Sequence, residues 1–203
     1  GLRDPNGFRP LCLGKLENGL VLASENPALD VVGAHFVREL DPGEMIVIDA
    51  TGSRSLHPFD ERRIAPKLCL FEFVYFARPD SLLSGRNVYQ ARVEMGRQLA
   101  REHPVAADMV VPVPDSGNCA ALGYSLESGI PYEMAFVRNH YIGRRFLQPS
   151  QLIRDFNVRV KLNLIRECVK DNRVIIVDDS IVRGTTCKTR VNNLKEAGAK
   201  EVH

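Results

Sequence analysis

The residues whose types and spacing most clearly suggest chemistry are 174–186, which read VIIVDDSIVRGTT. Four apolar residues that favour β-structure run directly into Asp178 and Asp179, and this predicts a buried strand that delivers two carboxylates to a sheet edge. Neighbouring carboxylates can accept hydrogen bonds from sugar hydroxyls or bind a hard divalent cation. A bare pair of aspartates is often only a turn and a helix N-cap, so the residues that follow decide the interpretation.

The residues after the aspartates predict a loop and the start of a helix. Gly184 lets the backbone approach an anion, and Thr185 and Thr186 stand where the free N–H groups of a helix favour a phosphate. The combination of strand, paired acids, glycine and hydroxyl groups is far more specific than any one of its parts. It predicts a site for a phosphorylated sugar.

This segment resembles the phosphoribosylpyrophosphate signature of type I phosphoribosyltransferases. The resemblance implies that Asp178 and Asp179 bind the ribose and its Mg²⁺ and take part in catalysis. It also implies a cradle for the 5′-phosphate, formed by Ser180, Arg183, Gly184, Thr185 and Thr186.

Three other segments extend the resemblance to the glutamine phosphoribosylpyrophosphate amidotransferases. Residues 68–81 resemble the entry to their transferase domain, and residues 3–11, RDPNGFRPL, resemble a late segment of class II glutamine amidotransferase domains. Asp115 and Ser116, within PVPDS, stand where the family has its pyrophosphate loop; Ser116 would also contact the metal. By itself PVPDS would be a proline-rich turn with a capping serine.

Residues 138–161 are basic, with six Arg or Lys side chains and one acid. Alone, such a segment is usually a solvated loop, but beside a site for a polyanion it predicts a flexible flap. It resembles the closing loop of the family, in which Tyr141 and Arg144 would act in catalysis. His140 and Arg145 depart from the family pattern.

The alternation of strands and helices predicts an α/β fold with a mostly parallel sheet flanked by helices. The resemblance implies that this sheet is type I phosphoribosyltransferase-like, and that a β-rich tail of a class II glutamine amidotransferase domain, of the Ntn-hydrolase type, precedes it. We expect the first domain at residues 1–64 and the second at 65–203, with the polar residues 51–66 as the connection. The predicted strands and helices comprise a hairpin over 11–24 with its turn at Asn18-Gly19, a short helix after Asn26, strands at 45–50, 70–77, 108–113, 132–137 and 174–177, and helices at 87–103, 116–128 and 185–197.

Composition excludes several classes of protein. A net charge of +2 gives no case for nucleic-acid binding, and no apolar run reaches the length of a membrane span. Five scattered cysteines without a CxxC pair favour a reducing cytoplasm over a disulfide framework. The resemblance makes Cys69 a candidate ligand of a 4Fe–4S cluster whose other ligands would lie after His203, although a lone cysteine usually serves packing. No signal peptide is recognisable, and both ends read as cuts in a longer chain.

The resemblance implies an amidophosphoribosyltransferase, a pentosyl-transferring enzyme of purine biosynthesis that assembles as a homo-oligomer. It would transfer ammonia, derived from glutamine, to phosphoribosylpyrophosphate and release pyrophosphate and phosphoribosylamine. The N-terminal cysteine that the family uses on glutamine is not in this sequence, and Cys12 falls within a predicted strand. We therefore expect the chain as it stands to be unable to use glutamine.

Two alternatives remain open at this level. One is a salvage or pyrimidine phosphoribosyltransferase that acts on a free nucleobase, although such enzymes lack the RDPNGFRPL segment. The other is a non-catalytic regulator that senses phosphoribosylpyrophosphate, which should carry a helix-turn-helix domain, and the sequence has no such pattern.

Overall fold

The computed structural model describes residues 1–138 and 162–203. The chain divides into two compact units, Gly1–Ala91 and Arg92–His203. Compactness and domain ancestry are different properties, so the domain boundary expected at residues 64 and 65 stays a prediction. No helix in these two ranges is both long and apolar enough to cross a membrane.

The first unit is built mainly from short antiparallel strands. Three of them form a sheet in the order β2-β1-β3, and β4 pairs with β5. Its main elements are β1 (Cys12–Leu16), β2 (Gly19–Ala23), α1 (Asn26–Val31), β3 (His35–Glu39), β4 (Met45–Asp49), β5 (Gly52–Leu56), β6 (Leu82–Leu83) and β7 (Arg86–Asn87).

The predicted hairpin is present, but its turn is not the one expected. Leu16 pairs with Gly19, so the turn residues are Glu17 and Asn18, and neither Asn18 nor Gly19 has a positive φ. Gly19 is instead the first residue of β2. The helix start is also displaced by one residue, because Glu25 is the N-cap and Asn26 the first helical position.

Two stretches of the first unit differ from prediction in type. Within the polar stretch 51–66, β5 forms the second strand of a hairpin with β4 and is exposed throughout, so it lacks the apolar alternation by which strands are recognised. The run 70–77, expected as a strand, contains a π-helix over Glu72–Phe76, in which the Ala77 amide donates to the Glu72 carbonyl at 3.1 Å. Glu72 is the buried side chain there, while Tyr75 and Phe76 are half exposed.

The second unit is an α/β layer structure around a parallel sheet, as the sequence predicts. The three strands are ordered β12-β11-β8, and all pairs are parallel. Its elements are α2 (Val88–Glu102), whose first four residues belong to the first unit, β8 (Met109–Pro112), α3 (Asn118–Ser128), β9 (Phe136–Arg138), β10 (Leu162–Leu164), α4 (Arg166–Val169), β11 (Arg173–Val177), α5 (Thr185–Glu196) and β12 (Glu201–Val202).

Alternate residues of β8 and β11 pack on opposite faces of this sheet. Val111 and Val174 face a cluster with Leu194 of α5, whereas Val110 and Ile175 face a cluster with α2 and α3. Both faces are therefore covered, which explains why these strands read as continuous apolar runs. The strand expected over 132–137 is shorter than predicted. Tyr132 makes only an isolated bridge to Val110, and β9 pairs antiparallel with β10.

The buried face of α2 differs from the one that its apolar residues suggest. Met95 and Leu99 are more than a third exposed, while Arg92, Gly96 and Ala100 are buried. On α3 the apolar residues Cys119, Leu122 and Leu126 suggest one buried face, but Leu126 is 55% exposed. The contact between α2 and α3 is formed by small residues, and a hydrophobic pattern does not reveal such a contact.

Candidate functional site

The ends of β8 and β11 lie side by side at one edge of the parallel sheet. Pro112 is in register with Val177, and the Val113 amide donates a 2.8 Å hydrogen bond to the Val177 carbonyl. The residues that follow each strand therefore emerge at the same edge, where ligands of such sheets bind. In this way the fold brings the 113–116 loop and the paired aspartates to one place.

Gly117 permits the close approach of the first loop to β11. A Cβ on this residue would lie 2.4 Å from the Val177 carbonyl oxygen and 2.8 Å from that of Val113. Its amide donates to the Val113 carbonyl at 2.9 Å, and α3 begins at the next residue. The sequence analysis did not single out Gly117; a glycine between a strand-end loop and a helix start was the available signal.

Asp178 is partly withdrawn from solvent and held by its own chain. Its Oδ1 accepts a 3.0 Å hydrogen bond from the Asp179 amide, and its Oδ2 is in ion-pair contact with Nη1 of Arg190 on α5. Burial raises the pKa of the Asp178 carboxyl, and the Arg190 charge opposes that rise. The ionised form is thus supported by one nearby cation.

The second aspartate leads into the loop before α5. Asp179 Oδ1 accepts a 2.6 Å hydrogen bond from the hydroxyl of Ser180, and both Ser180 and Arg183 are exposed. Gly184 is the N-cap of α5 with a φ of +70°, a conformation that favours glycine. Thr185 and Thr186 are exposed in the first turn of a twelve-residue helix that has no side-chain cap. Free N–H groups at such a start favour an anion.

The other loop carries Asp115 and Ser116. Nη1 of Arg138, at the end of β9, donates a 2.6 Å hydrogen bond to Asp115 Oδ2, and both side chains are more than half exposed. Ser116 is partly buried. Arg138 thus places a positive charge beside the 113–116 loop.

Curated relatives are similar to this chain over nearly its whole length. No protein-family model matches the chain. The amidophosphoribosyltransferase of Mycobacterium tuberculosis is 55% identical over 201 residues, which cover 99% of this chain and 38% of the relative. That of Archaeoglobus fulgidus is 50% identical over 203 residues, which cover the whole chain and 44% of the relative.

Solved structures agree with the sequence comparison. Glutamine phosphoribosylpyrophosphate amidotransferase from B. subtilis, complexed with ADP and GMP, superimposes with a TM-score of 0.88 and 49% identity. The match covers 98% of this chain and 44% of that one. The chain belongs to the amidophosphoribosyltransferase family. It spans about 35–44% of the length of the curated relatives it matches.

Other residues that the family resemblance singles out belong to the first unit or lie outside the described residues. Tyr141 and Arg144 lie outside the described residues. Cys69 belongs to the first unit, where it is a free, half-buried thiol. That unit also contains a cavity of about 540 Å³ lined in part by Arg3, Phe36 and Ser84, and none of the expected site residues lines it.

Residues 1–138 and 162–203 contain no group of three or more His, Cys, Asp or Glu side chains that could hold a metal ion. The carboxylate oxygens of Asp178 and Asp179 are nevertheless the hard donors that Mg²⁺ takes, and Mg²⁺ commonly binds through one or two carboxylates plus substrate phosphates. A 4Fe–4S cluster needs four ligands, and these residues supply Cys69 without a group around it.

Proposed function

We propose that this chain provides the phosphoribosylpyrophosphate-binding part of an amidophosphoribosyltransferase. The intact enzyme would transfer ammonia, derived from glutamine, to 5-phosphoribosyl-1-pyrophosphate, giving 5-phosphoribosylamine and pyrophosphate. One observation carries the proposal: paired aspartates at the end of β11 share a sheet edge with the 113–116 loop that follows β8. The family relationship supports the same conclusion, and one related structure is that of an allosteric regulatory enzyme of purine biosynthesis.

The aspartates would bind the sugar. A carboxylate accepts hydrogen bonds, and a ribose offers neighbouring hydroxyls as donors. Asp179 is also the more accessible partner for Mg²⁺, since Asp178 already contacts the Arg190 cation. Mg²⁺, when bound, would neutralise charge on the departing pyrophosphate.

The loop before α5 would hold the 5′-phosphate. Ser180, Thr185 and Thr186 supply hydroxyl donors, and Arg183 supplies a charged one. Gly184, the N-cap of α5, has no side chain that would keep the phosphate away from the backbone. Together with the uncapped first turn of α5, these groups give a tetrahedral phosphate several donors from one direction.

The 113–116 loop would hold the pyrophosphate. Ser116 contributes a hydroxyl, and Arg138 contributes a cation that contacts Asp115. A bound pyrophosphate would compete with Asp115 for that guanidinium. Closure of the basic segment over the site, with Tyr141 and Arg144 in catalytic roles, belongs to the same proposal; water exclusion and positioning would then supply much of the rate enhancement.

The proposal extends to other properties of the family. The intact enzyme would be cytoplasmic, act on small molecules and not on nucleic acid or membrane, assemble into a homo-oligomer, and hold an iron–sulfur cluster that uses Cys69.

The proposal is tested by titrating full-length protein with phosphoribosylpyrophosphate and Mg²⁺ in a calorimeter. Replacing both Asp178 and Asp179 by Asn should weaken binding at least tenfold, the loss of about one charge-assisted hydrogen bond. Asp171→Asn is the matched control: Asp171 is exposed, and its φ of 63° suits Asn equally. Unchanged affinity in the double variant would overturn the proposal.

Turnover assays separate the alternatives. Pyrophosphate release that depends on ammonia supports the amidotransferase. Release that depends on a free nucleobase supports a salvage or pyrimidine transferase, and tight binding without turnover supports a regulator.

A further inference from the structure

The carboxylate of Asp178 is fixed by two groups of its own chain. The Asp179 amide donates to Oδ1, and Arg190 contacts Oδ2 from the second turn of α5. Only 23% of the Asp178 side chain and 19% of the Arg190 side chain are exposed. A partly buried pair is screened less by water and salt than a surface pair, so it restricts the rotation of the carboxylate.

We propose that Arg190 is a positioning residue, which fixes the Asp178 carboxylate in the orientation that accepts hydrogen bonds from two neighbouring sugar hydroxyls. The inference rests on the proposed function, because it requires Asp178 to contact the ribose. Arg190 acts through Asp178 and does not itself need to touch the ligand.

The count of acceptor directions supports this role. An ionised carboxylate has two oxygens with about four lone-pair directions. The Asp179 amide takes one direction on Oδ1, and Arg190 takes one on Oδ2. One direction remains on each oxygen, and two parallel acceptors of this kind suit the two adjacent hydroxyls of a ribose.

The position of Arg190 in the helix favours a specific partner over a general surface role. It stands four residues before Leu194, whose side chain is fully buried in the core beneath α5. Residues four apart share a helix face, so Arg190 lies on the side of α5 that faces the sheet. A cation on such a face is costly unless it is paired, and Asp178 is its ion-pair partner. Arg190 also offsets the repulsion between the adjacent Asp178 and Asp179 charges.

The alternative is that the ion pair only fastens α5 to the end of β11. The two roles differ in what they predict for ligands with and without the hydroxyls. A fastening role affects every ligand in proportion to the folded fraction. A positioning role affects only ligands whose ribose hydroxyls meet Asp178.

The test is calorimetric titration of full-length protein with ribose 5-phosphate, 2-deoxyribose 5-phosphate and inorganic pyrophosphate. The wild type should prefer ribose 5-phosphate over its deoxy analogue. Arg190→Met should weaken ribose 5-phosphate binding about tenfold, a loss equivalent to one charge-assisted hydrogen bond, and should abolish that preference. Pyrophosphate affinity should not change. Arg190→Lys, which keeps the charge without the planar fork, should recover part of the preference.

Lys195→Met is the control, because Lys195 is an exposed cation in the last turn of the same helix. It should leave all three affinities unchanged. If Arg190→Met does not fold, Arg190→Gln and Arg190→Lys carry the comparison.

The outcomes separate this inference from the proposed function. If Asp178→Asn leaves the preference for ribose intact, the sugar-binding role of Asp178 itself is wrong. If Asp178→Asn abolishes the preference while Arg190→Met retains it, only the positioning role of Arg190 is overturned. A proportional loss for all three probes in Arg190→Met would also overturn it.

Discussion

Gly123 of α3 lies against the backbone of Val93 in α2 so closely that a Cβ on Gly123 would be 1.9 Å from the Val93 carbonyl oxygen. The contact is reciprocal, because a Cβ on Gly96 would be equally close to the carbonyl oxygen of Ala120. Two glycines therefore let the helix backbones touch directly. This contact sets the distance between α2 and the helix that follows the 113–116 loop.

We predict that Gly123→Ala lowers the free energy of unfolding by about 1–3 kcal/mol, the usual cost of overpacking a well-filled interior. Alanine favours helix, so intrinsic propensity alone predicts a gain; the steric conflict should prevail because the opposing atoms are backbone. Urea denaturation at constant m-value measures the change. Gly19→Ala is the control, since Gly19 has no positive φ and nothing within 4 Å of the added Cβ. Equal stability of both variants would contradict the prediction.

The same contact shows which features of the fold a sequence pattern does not predict. The ends of α3 and α5 were predictable because Gly129 and Gly198, at φ of +72° and +94°, mark them locally. The buried face of α2 was not predictable, because α2 contacts α3 through Gly96 and not through the larger Met95 and Leu99. Packing between glycines depends on the partner helix, which no single segment reveals.

The strand that precedes the candidate site was predictable from the sequence. Asp178 and Asp179 follow an apolar run that predicts a buried strand, and the structure has that strand at Arg173–Val177. The contact of Arg190 with Asp178 was not predicted, because it depends on how α5 folds back over the strand end. Its one local signal is a cation on the helix face that carries Leu194.

Stability at low pH should depend on Glu44. This buried carboxylate accepts hydrogen bonds from Arg38, Ser55 and the Asp41 amide, and these contacts, the Arg38 hydrogen bond foremost, lower its pKa from 4.5 to about 2. The unfolded state binds the proton more readily, so the contribution is complete above about pH 4.5 and is lost as the pH falls towards about 2. This lowering of the Glu44 pKa corresponds to a contribution of about 3 kcal/mol to the free energy of unfolding.

Urea denaturation of the wild type and Glu44→Gln between pH 7 and pH 3 tests this dependence. The variant should be less stable at pH 7, because the Arg38 charge loses its partner, and the gap should narrow as the pH falls. Other carboxylates titrate in both proteins, so the difference between the curves isolates Glu44. Parallel curves would show that Glu44 is not the group responsible.

The start of α5 should be sensitive to the backbone conformation of Gly184. Its φ of +70° is unfavourable for residues with a Cβ, yet nothing lies within 4 Å of an added Cβ. Gly184→Ala should therefore cost about 1–2 kcal/mol of stability through backbone strain alone. Gly184→Asn should cost less, because Asn tolerates the left-handed region. Thermal unfolding of the two variants measures the difference, and an Ala variant as stable as the Asn variant would refute it.

This chain should release no glutamate from glutamine, because Cys12, the one cysteine within residues 1–64, is not available as a nucleophile. Cys12 is 2% exposed within β1, and its thiol donates to the Ala23 carbonyl at 3.2 Å. Burial raises the pKa of the Cys12 thiol, so the reactive thiolate is disfavoured. Incubation with labelled glutamine measures the release, and thiol titration measures access to Cys12. The native wild type and Cys12→Ala should titrate equally, and the unfolded proteins should differ by one thiol. Glutamate release that disappears in Cys12→Ala would show that Cys12 attacks glutamine after all.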